Sequence, residues 1–365
     1  MQAKRGTFSA NPDEIPLLSS LASRNLVASA HFHVITENLD RCPNCGGKEF
    51  RKWHACNDRL YRLSEQTFIY SKCLLCGVFF LSPRPLASEV HKFYPIEYAP
   101  FTGAATKAET RCEPAPAQQR RPIRQALLKA ARALNAATDR FFPDPLAAEL
   151  HDFYPRQERE KQLLDFGCGS DIFLNQARNL GWDTIGIDFS PIAVEQVRRS
   201  GHKAILASPA MWQEIEDESL DLVRMNHVLE HLYDGREVLA AIRSKMKAGA
   251  RLHIAVPNPN GVTSRLFRSW AALVSEPRHV ILYPPRVLAS LLAQVGFSQV
   301  RVCHETVTKD FLRSLGLLWH ERGWIRHEEI DQMKQRKGLA ELLFTPARLA
   351  ACVGVADRIH AFVRK

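Results

Sequence analysis

The chain has 365 residues, enough for two domains and a sizeable core. Hydrophobic residues make up 45% and charged residues 24%, which is ordinary for a soluble globular protein. A formal charge of +10 permits an acidic partner such as nucleic acid, anionic lipid or a phosphorylated substrate without requiring one.

The N-terminus carries two early cations with no apolar run behind them, so it does not read as a secretory signal. No uninterrupted apolar stretch is long enough to span a membrane. Residues 1–40 are polar and irregular, with a short helix expected at Leu17–Leu26. Residues 41–101 hold two CxxC pairs and then a Pro/Tyr-rich connector. Residues 102–160 read as a linker followed by a basic amphipathic helix at 121–140, with Ile123, Leu127, Leu128 and Leu134 facing inward and Arg121, Arg124, Lys129 and Arg132 facing either acidic phospholipid or, as an ordinary packed helix, solvent. From 161 the pattern changes. "QLLDFG" is an apolar run too short for a helix and ended by glycine. A helix at 171–181 and the strand "WDTIGID" follow. Ser190-Pro191 then opens a helix, with a hydroxyl cap and a proline at the first position. Strands at "KAILA", "LDLVRMN" and "RLHIAVP" alternate with a helix at 235–247. A helix at 285–295 and the strand "QVRVCHETV" come next. Residues 305–357 form a helical insertion, and "RIHAFVRK" a last, antiparallel strand. Such alternation predicts an α/β fold, a mostly parallel sheet with helices on both faces.

In such sheets ligands bind beyond the carboxyl ends of the strands. "DFGCGSD" ends the first strand of the sheet, and Gly167 and Gly169, flanking Cys168, let the backbone turn tightly around a ligand. Asp188 ends the next strand and suits ribose hydroxyls. A dinucleotide fingerprint fails at Ile172. An S-adenosylmethionine (SAM) turn fits Asp165, Gly167 and Gly169, but Asp171 stands where a third glycine is expected.

Residues 162–300 resemble the class I SAM-dependent methyltransferases. The segments that carry the resemblance are "LLDFGCGSDIFL", "IGIDFSP", "LDLVRMNHVLEHLYD", "RLHIAVPNPNG" and "EPRHVILYPPRVLASLLAQVGF". The resemblance implies a Rossmann-like class I methyltransferase sheet, with the turn around the methionine and ribose of SAM. Asp188 would hold the ribose and Phe189 would lie near the adenine. The segment "LASPAMW" lacks the acid that often meets the adenine amine, and Ser208 is the nearest substitute.

"NHVLEHL" places Asn226 and His227 beside the expected methyl group, with Glu230 and His231 one turn on. Methyl transfer is an in-line displacement whose acceptor often must lose a proton, a task suited to histidine. His227 is the first choice of base and His231 the second; a purely pocket-shaping role, or a divalent metal held by His227, Glu230 and His231, stays open. Trp270, Arg278, His279 and Tyr283 lie in the segment that closes over the acceptor in this family, and are read as substrate contacts.

Cys42-Pro-Asn-Cys45-Gly and Cys73-Leu-Leu-Cys76-Gly form two knuckles that together offer four thiolates, a set suited to structural Zn2+. The stretch from Cys42 through "FYPIEY" resembles the zinc-ribbon heads of many bacterial methyltransferases, several of which act on nucleotide sugars or belong to glycan assembly. The resemblance implies that the head presents Tyr94 and Tyr98 to the acceptor. Paired cysteines without a signal suggest a reducing cytoplasm, with peripheral contact at the inner membrane left open. The expected activity is methylation of a small-molecule acceptor, such as a nucleotide- or lipid-linked sugar. A non-catalytic scaffold and a nucleic-acid methyltransferase are the alternatives. The basic surface shows no aromatic-interleaved strand or recognition helix, which favours solvent over nucleic acid.

Overall fold

The computed structural model describes residues 32–94, 122–274 and 277–365, leaving aside the side chains of residues 122–124, 145 and 334. Tyr98, Arg121 and the helix expected at Leu17–Leu26 lie outside the described residues, as do the side chains of Ile123 and Arg124.

The N-terminal part is built from β1 (Thr36–Glu37), β2 (Phe50–Cys56), β3 (Phe68–Cys73), β4 (Phe79–Leu81) and β5 (Arg84–Pro85). A short 3-10 turn at Val90–Phe93 follows. Two helices come next, α1 (Pro122–Phe141) and α2 (Pro145–Phe153). The larger α/β region then runs β6 (Gln162–Phe166), α3 (Ile172–Asn179), β7 (Asp183–Asp188), α4 (Pro191–Arg199), β8 (Lys203–Leu206) and β9 (Leu220–Asn226). After α5 (Gly235–Lys245) and β10 (Met246–Pro257) come α6 (Val262–Phe267), β11 (Ile281–Leu282), α7 (Pro285–Val295) and β12 (Ser298–His304). The insertion is helical: α8 (Lys309–Glu321), α9 (Glu328–Lys334) and α10 (Lys337–Cys352). It leads into β13 (Arg358–Arg364).

The large sheet has the order β12-β13-β10-β9-β6-β7-β8. Only β13 runs antiparallel to its neighbours, as the sequence predicts. This is a Rossmann-like methyltransferase fold. The strand order reverses between β6 and β9, so their carboxyl ends flank the crevice where such sheets bind ligands. Local signals explain the helix ends. The Ser190 side chain accepts from the Ala193 amide at the start of α4, and Gly296, with φ +97°, closes α7 in the left-handed conformation.

Four strands make a second sheet in the order β11-β4-β3-β2. Its outermost strand comes from the larger α/β region: Ile281 pairs with Phe80 and Leu282 with Phe79. Cys42, Cys73, Val78 and Phe80 share one core with Leu164, Ile187, Val223 and Ile254. The cysteine-bearing head is thus continuous with the larger α/β region.

The expected facing of α1 is corrected. Leu127 and Leu134 are each 56% exposed. The inner side of the helix is instead a polar seam with α10, where Arg132 and Asn135 bind Glu341 and Thr138 meets Thr345. No helix among the described residues is long and apolar enough to cross a membrane.

Candidate active site and metal centre

The turn after β6 is held from below. Gly167 and Gly169 have φ of +77° and +61°, a region that favours glycine. A methyl group on Gly167 would collide with Val228. Gly167 and Cys168 donate to the carbonyl of Ile187 at 2.7 and 3.0 Å, tying the turn to β7. Asp188 completes the clamp: its two carboxylate oxygens accept from the amides of Gly169 at 2.8 Å and Ser190 at 2.9 Å. Burial pushes the Asp188 carboxyl above its usual range. This bare-backbone cradle, which a side chain would fill, fits a ligand that approaches the main chain closely.

Asp165 is fully buried, and both its oxygens accept from Arg224 of β9, at 2.9 and 3.0 Å. The Arg224 guanidinium lies 3.9 Å from the centre of the Phe173 ring. The carboxylate therefore supports the turn from beneath. Arg224 gave no motif signal, being one cation in an otherwise apolar strand. Asp171 turns away from the glycines. Its carboxylate accepts from Ser200 at 2.6 Å and Asn175 at 2.9 Å, which holds its pKa below the usual range.

Phe189, at the end of β7, is 48% exposed and meets Tyr94 edge to face with ring centres 5.0 Å apart. Ser208 is exposed in the turn after β8, and Trp212 stacks on Phe166 nearby. Asn226 ends β9. His227 follows with φ +56°, its amide donating to Ala255 and its Nδ1 lying 3.1 Å from Glu230 Oε1. His231 Nδ1 lies 3.0 Å from both the Tyr94 hydroxyl and the Arg278 carbonyl. Its ring is 4.7 Å from that of His279. Burial, the largest cause in each case, lowers His227 to about 3, and His231 and His279 to about 4. All three rings are therefore neutral at pH 7. Burial raises the Glu230 carboxyl. Glu230, His231 and His279 bring one donor atom each within 4.8 Å, so the metal-competent set in this region includes His279 rather than His227.

Arg278 is wholly buried. It lies 3.6 Å from Asp58, donates to the Phe93 carbonyl at 2.9 Å, and sits 4.6 Å from the Tyr61 ring centre. The Tyr70 hydroxyl donates to the His279 carbonyl at 2.6 Å. The head thus grips the chain at residues 278 and 279. Tyr283 is buried in the main core, and Trp270 packs between the head and α8 with Arg59 over its ring. Neither is grouped with the histidines. Sequence reasoning also missed a buried chain, Tyr154–His253–His360–Glu305, with links of 2.6, 2.9 and 3.3 Å. Its members come from four elements distant in sequence, so no spacing reveals it.

The four knuckle cysteines converge. Gly46 and Gly77 take φ of +72° and +80°, allowing each knuckle to close. The Sγ atoms of Cys42 and Cys76, and of Cys45 and Cys73, are 3.6 Å apart, and all four lie within 4.8 Å. A tetrahedron with Zn–S bonds of about 2.3 Å has edges of about 3.8 Å. The donor set fits such an ion.

Residues 138–302 match the family model of a methyltransferase domain. The ribosomal protein L11 methyltransferase of Cupriavidus taiwanensis is 39% identical over 92 residues, covering 25% of this chain and 30% of that protein. The ubiquinone biosynthesis O-methyltransferase of Hahella chejuensis is 30% identical over 106 residues, covering 27% and 44% respectively. The chain therefore spans less than half the length of these curated relatives. Among solved structures, phosphoethanolamine N-methyltransferase 2 of Haemonchus contortus aligns with 16% identity and a TM-score of 0.41, covering 87% of this chain and 68% of that one. Residues 138–302 thus resemble a methyltransferase domain, and they carry most of the Rossmann-like sheet.

Proposed function

We propose that the protein is a SAM-dependent methyltransferase acting on a small-molecule acceptor, a hydroxyl, amine or carbon of a sugar or nucleotide-linked sugar. The observation that carries this reading is the meeting of Tyr94, Phe189 and His231 at the carboxyl edge of the sheet, next to the Gly167–Gly169 turn. SAM, when bound, supplies an electrophilic methyl group on a sulfonium sulfur. Gly167, Cys168 and Gly169 would receive it on bare backbone, Asp188 would hold the turn and offer its remaining lone pairs to ribose hydroxyls, and Phe189 would cover the adenine side. Asn226 would border the methyl group, and Ser208 the adenine rim.

The acceptor's proton goes to a neutral imidazole. His231 is the better placed of the two candidates. Its Nδ1–H donates to the Arg278 carbonyl, which fixes the ring and leaves Nε2 as the basic atom. Tyr94 beside it would orient the acceptor. His227, linked to Glu230, shapes the turn that carries Glu230 and His231. The four thiolates of Cys42, Cys45, Cys73 and Cys76 would hold structural Zn2+, and the ion would keep the head in place against Arg278 and His279.

Calorimetric titration of zinc-replete protein with SAM and S-adenosylhomocysteine tests the cofactor half. Micromolar binding that Asp188→Ala abolishes supports it; no binding of either ligand leaves a scaffold with a methyltransferase fold. Mass spectrometry of nucleotide sugars incubated with protein and SAM tests the acceptor half. A gain of one methyl on a sugar supports it, and methylation confined to protein or RNA sinks it.

A further inference from the structure

A row of buried polar side chains crosses the sheet without a part in the cofactor turn or in the Tyr94–His231 contact. The Tyr154 hydroxyl lies 2.6 Å from His253 Nδ1, His253 Nε2 lies 2.9 Å from His360 Nδ1, and His360 Nε2 lies 3.3 Å from Glu305 Oε2. His253 and His360 are 3% and 7% exposed. Arg358 stands 3.8 Å from the same Glu305 oxygen and donates twice to Asp310. Glu305 itself, the first residue after β12, keeps 29% of its side chain exposed.

With Glu305 ionised and one proton on each ring, the row allows a single proton order. A carboxylate only accepts, so His360 donates from Nε2. Its Nδ1 is then bare and accepts from His253 Nε2–H. His253 Nδ1 is bare in turn and accepts the proton of the Tyr154 hydroxyl. Every bond in the row is made, and all of them point towards Glu305. Burial pushes the Tyr154 phenol up and His253 down, which suits a hydroxyl that keeps its proton beside a neutral ring. Burial works to raise Glu305 as well, but the His360 bond and the Arg358 charge outweigh it and hold the carboxyl below its usual range.

Strand register places this row relative to the site. Asn226 pairs with Ala255 on β10, and Ala255 with His360 on β13. His360 is thus two strands, about 10 Å, from the end of β9. Glu305 follows β12 at the same carboxyl edge, where ligands of such sheets bind. His360 and Arg358 both meet Oε2, so among the described residues Oε1 is left to a donor from outside.

We propose that Glu305 receives a hydrogen-bond donor of the methyl acceptor, an ammonium or a hydroxyl of the sugar, and that Tyr154, His253 and His360 are positioning residues that hold it ionised for that task. The assignment rests on the sugar-directed reading above. The fit is to a donor and not to a phosphate, since Glu305 and Asp310 stand around a single guanidinium, that of Arg358.

Calorimetric titration of the zinc-replete protein, loaded with S-adenosylhomocysteine, with uridine diphosphate glucosamine and uridine diphosphate glucose tests this. Glu305→Gln puts an amide where an ionised acceptor stood, and should weaken the bound probe by at least about tenfold with S-adenosylhomocysteine affinity unchanged. Weakening confined to the glucosamine probe assigns an ammonium contact, and equal weakening of both assigns a hydroxyl contact. Histidine-selective nitrogen NMR of the parent protein should show the proton on Nε2 of both His253 and His360. Tyr154→Phe cuts the row at its far end. It should let His253 populate the Nδ1–H tautomer and should weaken the probe by about threefold. Parent rings protonated on Nδ1 overturn the proposal, as does probe binding that Glu305→Gln leaves intact, or a parent protein that binds S-adenosylhomocysteine but neither sugar. A parent protein that does not bind S-adenosylhomocysteine gives a different result: it removes the function on which the acceptor role rests, while the nitrogen spectra still decide the proton order.

Discussion

The hydroxyl of Tyr94, the last residue of the cysteine-bearing head before the undescribed stretch, stands 3.0 Å from Nδ1 of His231 in the Rossmann-like domain. The two are 137 positions apart. Under the proposed function, their meeting has the head and the Rossmann-like domain jointly build the acceptor side of the site. Tyr94→Phe is expected to raise the acceptor KM or lower kcat while leaving SAM affinity unchanged. His231→Ala should lower kcat by roughly 10²–10⁴-fold, the range of positioned acid–base catalysis. His227→Ala should cost less. Steady-state kinetics with calorimetric SAM affinities check this; equal losses at 227 and 231 would remove the distinction drawn between them.

Asp171 raises the question whether the cofactor turn has decayed. Its carboxylate is engaged by Ser200 and Asn175 and does not occupy the cradle. Asp171→Gly should therefore leave SAM affinity within about threefold, a difference of less than 1 kcal/mol, and should lower thermal stability through loss of those bonds. Gly167→Ala should abolish SAM binding, because the added methyl meets Val228 at a φ of +77°. A large affinity gain in Asp171→Gly would show that the residue does obstruct the site.

Much of this arrangement was legible in the sequence, and the reasons for the remainder are physical. Gly167, Gly169 and the Ser190-Pro191 cap are local signals, fixed by backbone conformation within a few residues. β11 is a two-residue strand that exists only because Phe79 and Phe80 offer it an edge. Its apolar run "HVILY" reads equally well as a loop. Arg224 is silent because its partner Asp165 lies on a neighbouring strand. The outward turn of Leu127 and Leu134 reverses the usual inference from amphipathicity, because α1 packs through Asn135 and Thr138 instead.

Arg278 offers a test of the union between head and domain. A wholly buried guanidinium depends on Asp58, the Phe93 carbonyl and the Tyr61 ring. Asp58→Ala removes the neutralising charge and two caps on the loop at Tyr61 and Leu63. The expected loss is about 3–5 kcal/mol, as for other buried pairs broken on one side. Denaturant unfolding measures it, and a change under about 1 kcal/mol would mean that the other contacts suffice. Cys45→Ser should act on the same region by loosening the four-thiolate set, so metal content should fall together with the thermal transition.

Acid should destabilise the fold from about pH 6.5 downward, where the buried histidines resist protonation. His54 and His231 fall to about 4, and His279 likewise, chiefly through burial. Each unfolded histidine takes up a proton near pH 6.5, whereas the folded one resists until about pH 4. The unfolded state thus binds more protons across that window, and stability is lost as pH falls from 6.5 towards 4. Asp357 works the other way: burial raises it to about 6, so its folded form holds a proton that the unfolded form releases above pH 4. Asp188 and Glu230, which burial also raises, act with Asp357 against the buried histidines, His227 among them, each histidine contributing at most about 2 kcal/mol of loss between pH 7 and 5. Thermal melting should therefore drop steadily from pH 7 to pH 5. His279→Gln, which removes one titrating ring, should flatten the slope relative to the parent protein. A melting temperature that is level over this range would show that the buried histidines are protonated in the folded chain, and the neutral imidazole assigned to His231 would go with it.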